Sequence, residues 1–275
     1  MIGVFDSGLG GLTVVRSLRA IAPTIDLIYL ADQAHVPYGD REPDELRAYL
    51  AQNVAALDAR GVDAIVMGCN TSCAIADVYG WPAARAPVLD LIATAAAAVA
   101  LTGARRIGVL GTTATVRSGA YGRAIRRLLP DGDVRELAAP ELVPLVEAGE
   151  LRGPRARDAV ARACGPFGEL DLIVLACTHF PLLDEHFAHV FGPLVPRLDP
   201  AQAQAERAAA FAREHGIDRG RRRSQFITNG PLAPFRAALA AILGPLDEME
   251  EVEEERDRYE PERRPGDDLQ HRVRL

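Results

Sequence analysis

Two segments of this chain recur further along it at nearly one spacing, and this recurrence restricts the fold more than any other feature. Ile2-Gly3-Val4-Phe5-Asp6-Ser7 resembles Ile107-Gly108-Val109-Leu110-Gly111-Thr112, 105 residues later. Asp63-Ala64-Ile65-Val66-Met67-Gly68-Cys69-Asn70-Thr71 resembles Asp171-Leu172-Ile173-Val174-Leu175-Ala176-Cys177-Thr178-His179, 108 residues later. Short apolar strands resemble one another by chance, but a cysteine at the same step past both strands favours duplication of an α/β half. Open α/β sheets take ligands beyond the carboxyl ends of their strands. If the halves face each other, Cys69 and Cys177 meet across one cleft.

The rest of the pattern agrees with this division. Ile2–Phe5, Leu27–Leu30, Ala64–Met67, Ile107–Leu110, Leu172–Leu175 and Gln225–Thr228 read as buried parallel strands. Amphipathic stretches such as Leu12–Ile21, Pro43–Ala59 and Arg117–Leu128 read as the helices between them. Pro43 suits a first helical turn, and Gly61 suits a stop. The fold class is therefore α/β: two pseudo-symmetric domains with mostly parallel sheets flanked by helices, and an active site at their interface.

Composition removes several chemistries. All 31 basic residues are arginine. Without lysine the chain forms no lysine Schiff base and carries no standard phosphate-binding loop. Of the net charge of -7, residues 247–275 hold -6, with 12 acidic and six basic groups. No basic field remains to draw nucleic acid, and the charged tail reads as a solvated, flexible extension. The start shows no secretory signal, and the apolar stretch Leu91–Leu101 is about half the ~20 residues that span a bilayer. Four cysteines without framework spacing suit a reducing cytoplasm.

Cys69 and Cys177 each stand between an apolar strand and an expected helix, where N–H groups and the helix dipole lower a thiol pKa. Each is followed by polar residues, Asn70-Thr71 and Thr178-His179, that can surround a small polar ligand. Inverting a carbon that bears hydrogen needs a base on one face and an acid on the other. One thiolate and one thiol satisfy both directions equally. No cofactor is needed if the site stabilises the developing carbanion electrostatically. The Gly8-Leu9-Gly10-Gly11 turn has Thr13 where a dinucleotide loop has its third glycine, so its N–H groups are assigned to a substrate carboxylate.

At this point the chain resembles the glutamate racemases. The resemblance is carried by Gly3-Val4-Phe5-Asp6-Ser7-Gly8-Leu9-Gly10-Gly11-Leu12, Ala31-Asp32, Pro37-Tyr38-Gly39 and Cys69-Asn70-Thr71 in the first half. In the second it is carried by Gly111-Thr112, Thr115-Val116, Ser118, the run Val143 to Gly149, and Cys177-Thr178-His179-Phe180-Pro181-Leu182-Leu183. It covers roughly residues 2–244. It implies a cofactor-independent interconversion of L- and D-glutamate that supplies D-glutamate for peptidoglycan.

By the same resemblance Cys69 and Cys177 are the two acid/base residues, Cys69 acting on the D-form and Cys177 on the L-form. Asp6 assists Cys69, while Glu147 and His179 assist Cys177. Asp6, Ser7, Pro37, Tyr38, Gly39, Asn70, Thr71, Thr115, Thr178 and His179 match substrate-contacting positions. Gln33, His35, Ser72, Cys73 and Phe180 depart from the usual pattern without removing a catalytic group. The family pattern also sets the domains, at 1–97 with 208–246 and at 98–207. The return segment includes Thr228-Asn229-Gly230.

Other readings use the same residues. Cys69, Cys73, Cys177 and His179 lie near zinc-ligand spacing, although no metal is expected. A Cys–His hydrolase would leave one of the repeated cysteines idle. A non-catalytic binding module would leave the whole set idle. An aspartate-specific racemase is the nearest competitor, and His179 after the second Cys-Thr argues against it. The expected partners are the small substrate and a second copy of the chain, with no nucleic acid and no membrane.

Overall fold

The structure, a computed structural model, describes residues 1–255. The first half runs β1 (Ile2–Asp6), α1 (Leu12–Ile21), β2 (Leu27–Ala31), α2 (Pro43–Ala59), β3 (Ala64–Met67), α3 (Asn70–Tyr79), β4 (Val88–Leu89) and α4 (Leu91–Leu101). The second runs β5 (Arg106–Gly111), α5 (Thr113–Ser118), α6 (Ala120–Leu128), β6 (Asp133–Ala138), α7 (Leu142–Glu147), α8 (Pro154–Cys164), β7 (Leu172–Ala176), α9 (Asp184–Phe191) and β8 (Arg197–Leu198). The chain closes with α10 (Pro200–Glu214), β9 (Ser224–Thr228), α11 (Leu232–Leu243) and β10 (Glu250–Glu254).

Both sheets are parallel. One has the order β10-β9-β2-β1-β3-β4 and the other β6-β5-β7-β8. The second sheet is thus the first without β9 and β10, since β1, β2, β3 and β4 correspond to β5, β6, β7 and β8. The register agrees with the sequence offsets. Ile2 pairs with Ala64 and Val4 with Val66, while Ile107 pairs with Leu172 and Val109 with Val174. Cys69 and Cys177 therefore leave equivalent strands of equivalent sheets.

Alternation along the strands divides the core. Ile2, Val4, Tyr29 and Val66 face α1, α10 and α11 on one side of the larger sheet. Phe5, Leu30, Ile65 and Met67 face the other way, onto α2 and α3. That second layer continues through α4 and α6 to Ile107, Val109, Leu172 and Val174 of the smaller sheet, so one apolar layer joins the halves. Residues 97 and 207 lie inside α4 and α10, which are continuous helices.

Helix α2 starts at Pro43 behind a capping box of Glu42 and Glu45, as its sequence predicts. Two expectations need correction. The helix expected over Arg117–Leu128 is two helices, because Gly119 adopts φ +64 and ends α5 before α6 begins. The tail expected to be flexible from 247 instead gives β10, paired in parallel along β9. Its glutamates are matched from the sheet side: Arg19 bonds Glu250, Gln225 bonds Glu253 at 2.8 Å, and Arg60 bonds Glu255 at 2.6 Å. A strand of this charge at a sheet edge deters further strand pairing. The tail from 256 onward lies outside the described residues. Among the described residues no helix is long and apolar enough to cross a membrane.

Candidate active site

The two sulfurs line one narrow cavity. Its lining includes Ser7 past β1, Cys69, Asn70 and Thr71 at the start of α3, and Cys177, Thr178 and His179 past β7. These are carboxyl ends of strands, as the repeat requires. Pro37, Tyr38 and Gly39 supply a further wall from the loop before α2. Asp6, Glu147 and Thr115 are absent from the lining and stand behind the residues that form it.

Close backbone approach joins the halves here. A Cβ on Gly39 would stand 2.9 Å from Thr112 Cβ, and one on Gly10 would stand 2.7 Å from the carbonyl carbon of Thr178. The Ala114 N–H donates to the Gly39 carbonyl at 3.0 Å, which ties the Pro37-Tyr38-Gly39 wall to α5. Gly10→Ala is expected to push Thr178 away, at about 1–3 kcal/mol of stability, with a raised KM. Urea unfolding and initial-rate kinetics check this; an unchanged midpoint and KM would show that the halves part freely at this point.

Cys177, His179 and Glu147 form a chain. The Cys177 sulfur lies 3.7 Å from His179 Nδ1, and His179 Nε2 lies 2.5 Å from Glu147 Oε1. Burial acts to lower the His179 pKa, but the bonds to Cys177 and Glu147 outweigh it and hold the imidazole well above its ordinary range. The charged ring can donate from both nitrogens, toward the Cys177 sulfur on one side and the Glu147 carboxyl group on the other.

The Cys69 side differs. Its sulfur caps α3, accepting from the Ser72 N–H at 3.4 Å, and its thiol lies 3.5 Å from Ser7 Oγ. The expected lowering of its pKa is not what the structure shows. Burial, then the nearby Asp6, push Cys69 up to about 11, against the smaller pull of the Ser72 and Ser7 bonds. The helix terminus supplies donors, but desolvation of a fully enclosed sulfur is the larger effect. One sulfur is thus held as thiol, while the other stands beside an imidazolium.

Asp6 occupies a place that sequence reasoning gave to substrate. Its Oδ2 accepts from the N–H groups of Gly8 and Gly11, each at 3.0 Å, and its Oδ1 accepts from Thr178 Oγ1 at 3.4 Å. The glycine turn therefore spends those two N–H groups on a buried carboxylate, not on a ligand, because an enclosed carboxylate needs its oxygens satisfied. Burial raises the Asp6 pKa, against the lowering pull of His179 and of the Gly11 and Gly8 N–H groups.

Thr115 is also placed differently from the expectation. It is fully buried, and its hydroxyl accepts from Thr112 Oγ1 at 2.9 Å. Thr112 lines the cavity in its stead and bonds Thr71 Oγ1 at 2.9 Å across the halves. Sequence reasoning also left out Val36 and Val143, which line the cavity. For Thr112 the signal was present: it stands 105 residues past Ser7, the same offset that relates the strands. Tyr38 is buried, with its hydroxyl on Asp32. Asp32 also accepts from Asn53 Nδ2 at 3.3 Å and from Asn229, so Thr228-Asn229-Gly230 braces the loop that leads to the wall.

All four cysteines are free, and Cys73 is buried in the core rather than in the cavity. Among the described residues no three His, Cys, Asp or Glu side chains converge as metal ligands would.

Residues 10–208 match the family model described as Asp/Glu/Hydantoin racemase. The chain is 43% identical over 248 residues to the glutamate racemase of Gloeobacter violaceus, covering 88% of this chain and 91% of that one. It is 39% identical over 255 residues to the glutamate racemase of Desulforudis audaxviator, covering 88% and 93%. The crystal structure of glutamate racemase from Francisella tularensis in complex with D-glutamate superposes with a TM-score of 0.85 at 28% identity, covering 94% and 98%.

Proposed function

Because the chain belongs to the Asp/Glu/Hydantoin racemase family, we propose that it interconverts L- and D-glutamate by passing the α-proton between the sulfurs of Cys69 and Cys177. The observation that carries this reading is the shared cavity: two cysteine sulfurs at equivalent ends of two equivalent sheets, with unlike neighbours, Ser7 beside one and His179 beside the other. A single base could exchange the α-proton, but inversion needs delivery from the opposite face.

In this mechanism Cys177 acts as the base toward L-glutamate while Cys69 carries the proton to be delivered. Cys177 removes the α-proton while His179 and Glu147 hold the charge balance behind it. Cys69 donates to the other face, and D-glutamate leaves a site of reversed protonation that is set for the D-form. Asp6 stands behind Cys69 and bonds Thr178, linking the two sides. Ser7, Asn70, Thr71 and Thr178 orient the substrate's polar groups; Pro37, Tyr38 and Gly39 close the wall. The chemistry needs no cofactor, because the thiol opposite supplies its proton as the carbanion forms. Closing 98–207 against 1–97 with 208–246 excludes water from the transfer. The placement we infer is cytoplasmic, as a homodimer, with D-glutamate passing to peptidoglycan synthesis.

Incubating the protein with L-glutamate, and separately with L-aspartate, in deuterated water tests the reading. Loss of optical rotation with one deuterium at the α-carbon is expected for glutamate. Exchange with aspartate alone would reassign the substrate, and no α-exchange with either would remove the racemase reading.

A further inference from the structure

Asn70 is the first residue of α3 and lines the cavity, yet the two ends of its amide have different circumstances. Its Oδ1 accepts from the hydroxyl of Tyr121 at 2.5 Å. Its Nδ2 is buried and has no hydrogen-bond partner. A buried amide nitrogen left without an acceptor is uncommon and calls for an explanation. Tyr121 is fully buried on α6, in the other half of the molecule, and is not part of the cavity lining. Burial, then the charges of Cys73 and Asp90, hold its phenol well above the ordinary range, so it keeps the proton it donates.

We propose that Tyr121 is a positioning residue that selects the orientation of the Asn70 amide, so that Nδ2 is presented to the cavity as a donor for a carboxylate of glutamate. This rests on the glutamate reading above. The two ends of an amide are close to isosteric, and packing alone distinguishes them poorly. A donor fixed on one end does distinguish them. Turned over, the amide would set its oxygen against a substrate carboxylate, two acceptors with no hydrogen between them. The donor and the amide come from different halves, so the binding group is set only where α6 and α3 are packed together.

Tyr121→Phe keeps the ring and removes the bond. The expected result is a KM for both enantiomers raised about 10-fold, the range of a hydrogen bond to a charged group, with kcat changed by less than about 3-fold. In an Asn70→Ala background the same substitution should leave KM unmoved, which a purely structural role for Tyr121 would not produce. Asn70→Asp leaves Tyr121 intact and carries the test if the phenylalanine variant is unstable. One carboxylate oxygen would take the phenol and the other face the cavity, raising KM at least about 100-fold. An active wild type with unmoved KM in Y121F, or an equal rise in the Asn70→Ala background, overturns this inference alone. A wild type that leaves glutamate unchanged overturns the glutamate reading and this inference with it.

Discussion

Replacing either cavity sulfur with oxygen, as Cys69→Ser or Cys177→Ser, is expected to lower racemisation by about 1,000-fold or more. A serine hydroxyl is too weak an acid to alternate between base and proton donor near neutrality, and inversion needs both groups in turn. The two variants should then differ in what they retain. Cys69→Ser keeps Cys177 and the His179 ring beside it. It should remove the α-proton of L-glutamate and return a solvent deuteron to the same face, giving labelled but uninverted L-glutamate. Cys177→Ser should do the same with D-glutamate, more slowly, because Cys69 must first lose a proton held up to about 11. Proton NMR in deuterated water with chiral chromatography separates exchange from inversion. Full racemisation by either single variant would sink the two-base mechanism.

The second large effect concerns Glu147 and pH. The folded-state pKa of His179 is raised, so the stabilisation from its charged form is complete below the ordinary imidazole value near 6.5 and is lost as pH rises through the higher folded-state value. Glu147→Gln removes the carboxylate that accepts from Nε2, and the folded-state value falls. The basic limb of the pH profile for kcat/KM should move to lower pH, with a loss on the order of 10- to 100-fold at pH 8. Because the two enantiomers have equal free energy, kcat/KM must fall equally in both directions. Any asymmetry between the Cys69 and Cys177 sides therefore shows only in kcat, in KM and in isotope exchange. Profiles of kcat/KM measured from each enantiomer check both statements, and an unmoved basic limb would remove Glu147 from the relay.

Much of this was legible because duplication makes one half a guide to the other. The six strands read from apolar runs are all present, including both that carry the sulfurs. The four missed strands failed for physical reasons. β4 and β8 have two residues each, too few for any period to register. β6 (Asp-Val-Arg-Glu-Leu-Ala) and β10 (Glu-Glu-Val-Glu-Glu) are charged edge strands, and their sequences lack the apolar run that marks a covered strand.

At the site, residue type and place were readable while occupancy was not. Nothing in Gly8-Leu9-Gly10-Gly11 says that its N–H groups are already committed to Asp6. Nor does a helix-start position reveal that burial outweighs the terminus at Cys69. Tyr121 lies 51 residues from Asn70, and only the packing of α6 on the central layer brings them together.

The repeat within the chain has a consequence for how unequal its two sides can be. Two identical halves on separate chains would offer two identical sulfurs in identical surroundings. Once both copies lie in one polypeptide, each can change without the other. Asp6 has Gly111 as its counterpart, and Thr71 has His179. The result is a mirror-image reaction, symmetric by thermodynamic necessity, run by a left hand and a right hand that no longer match.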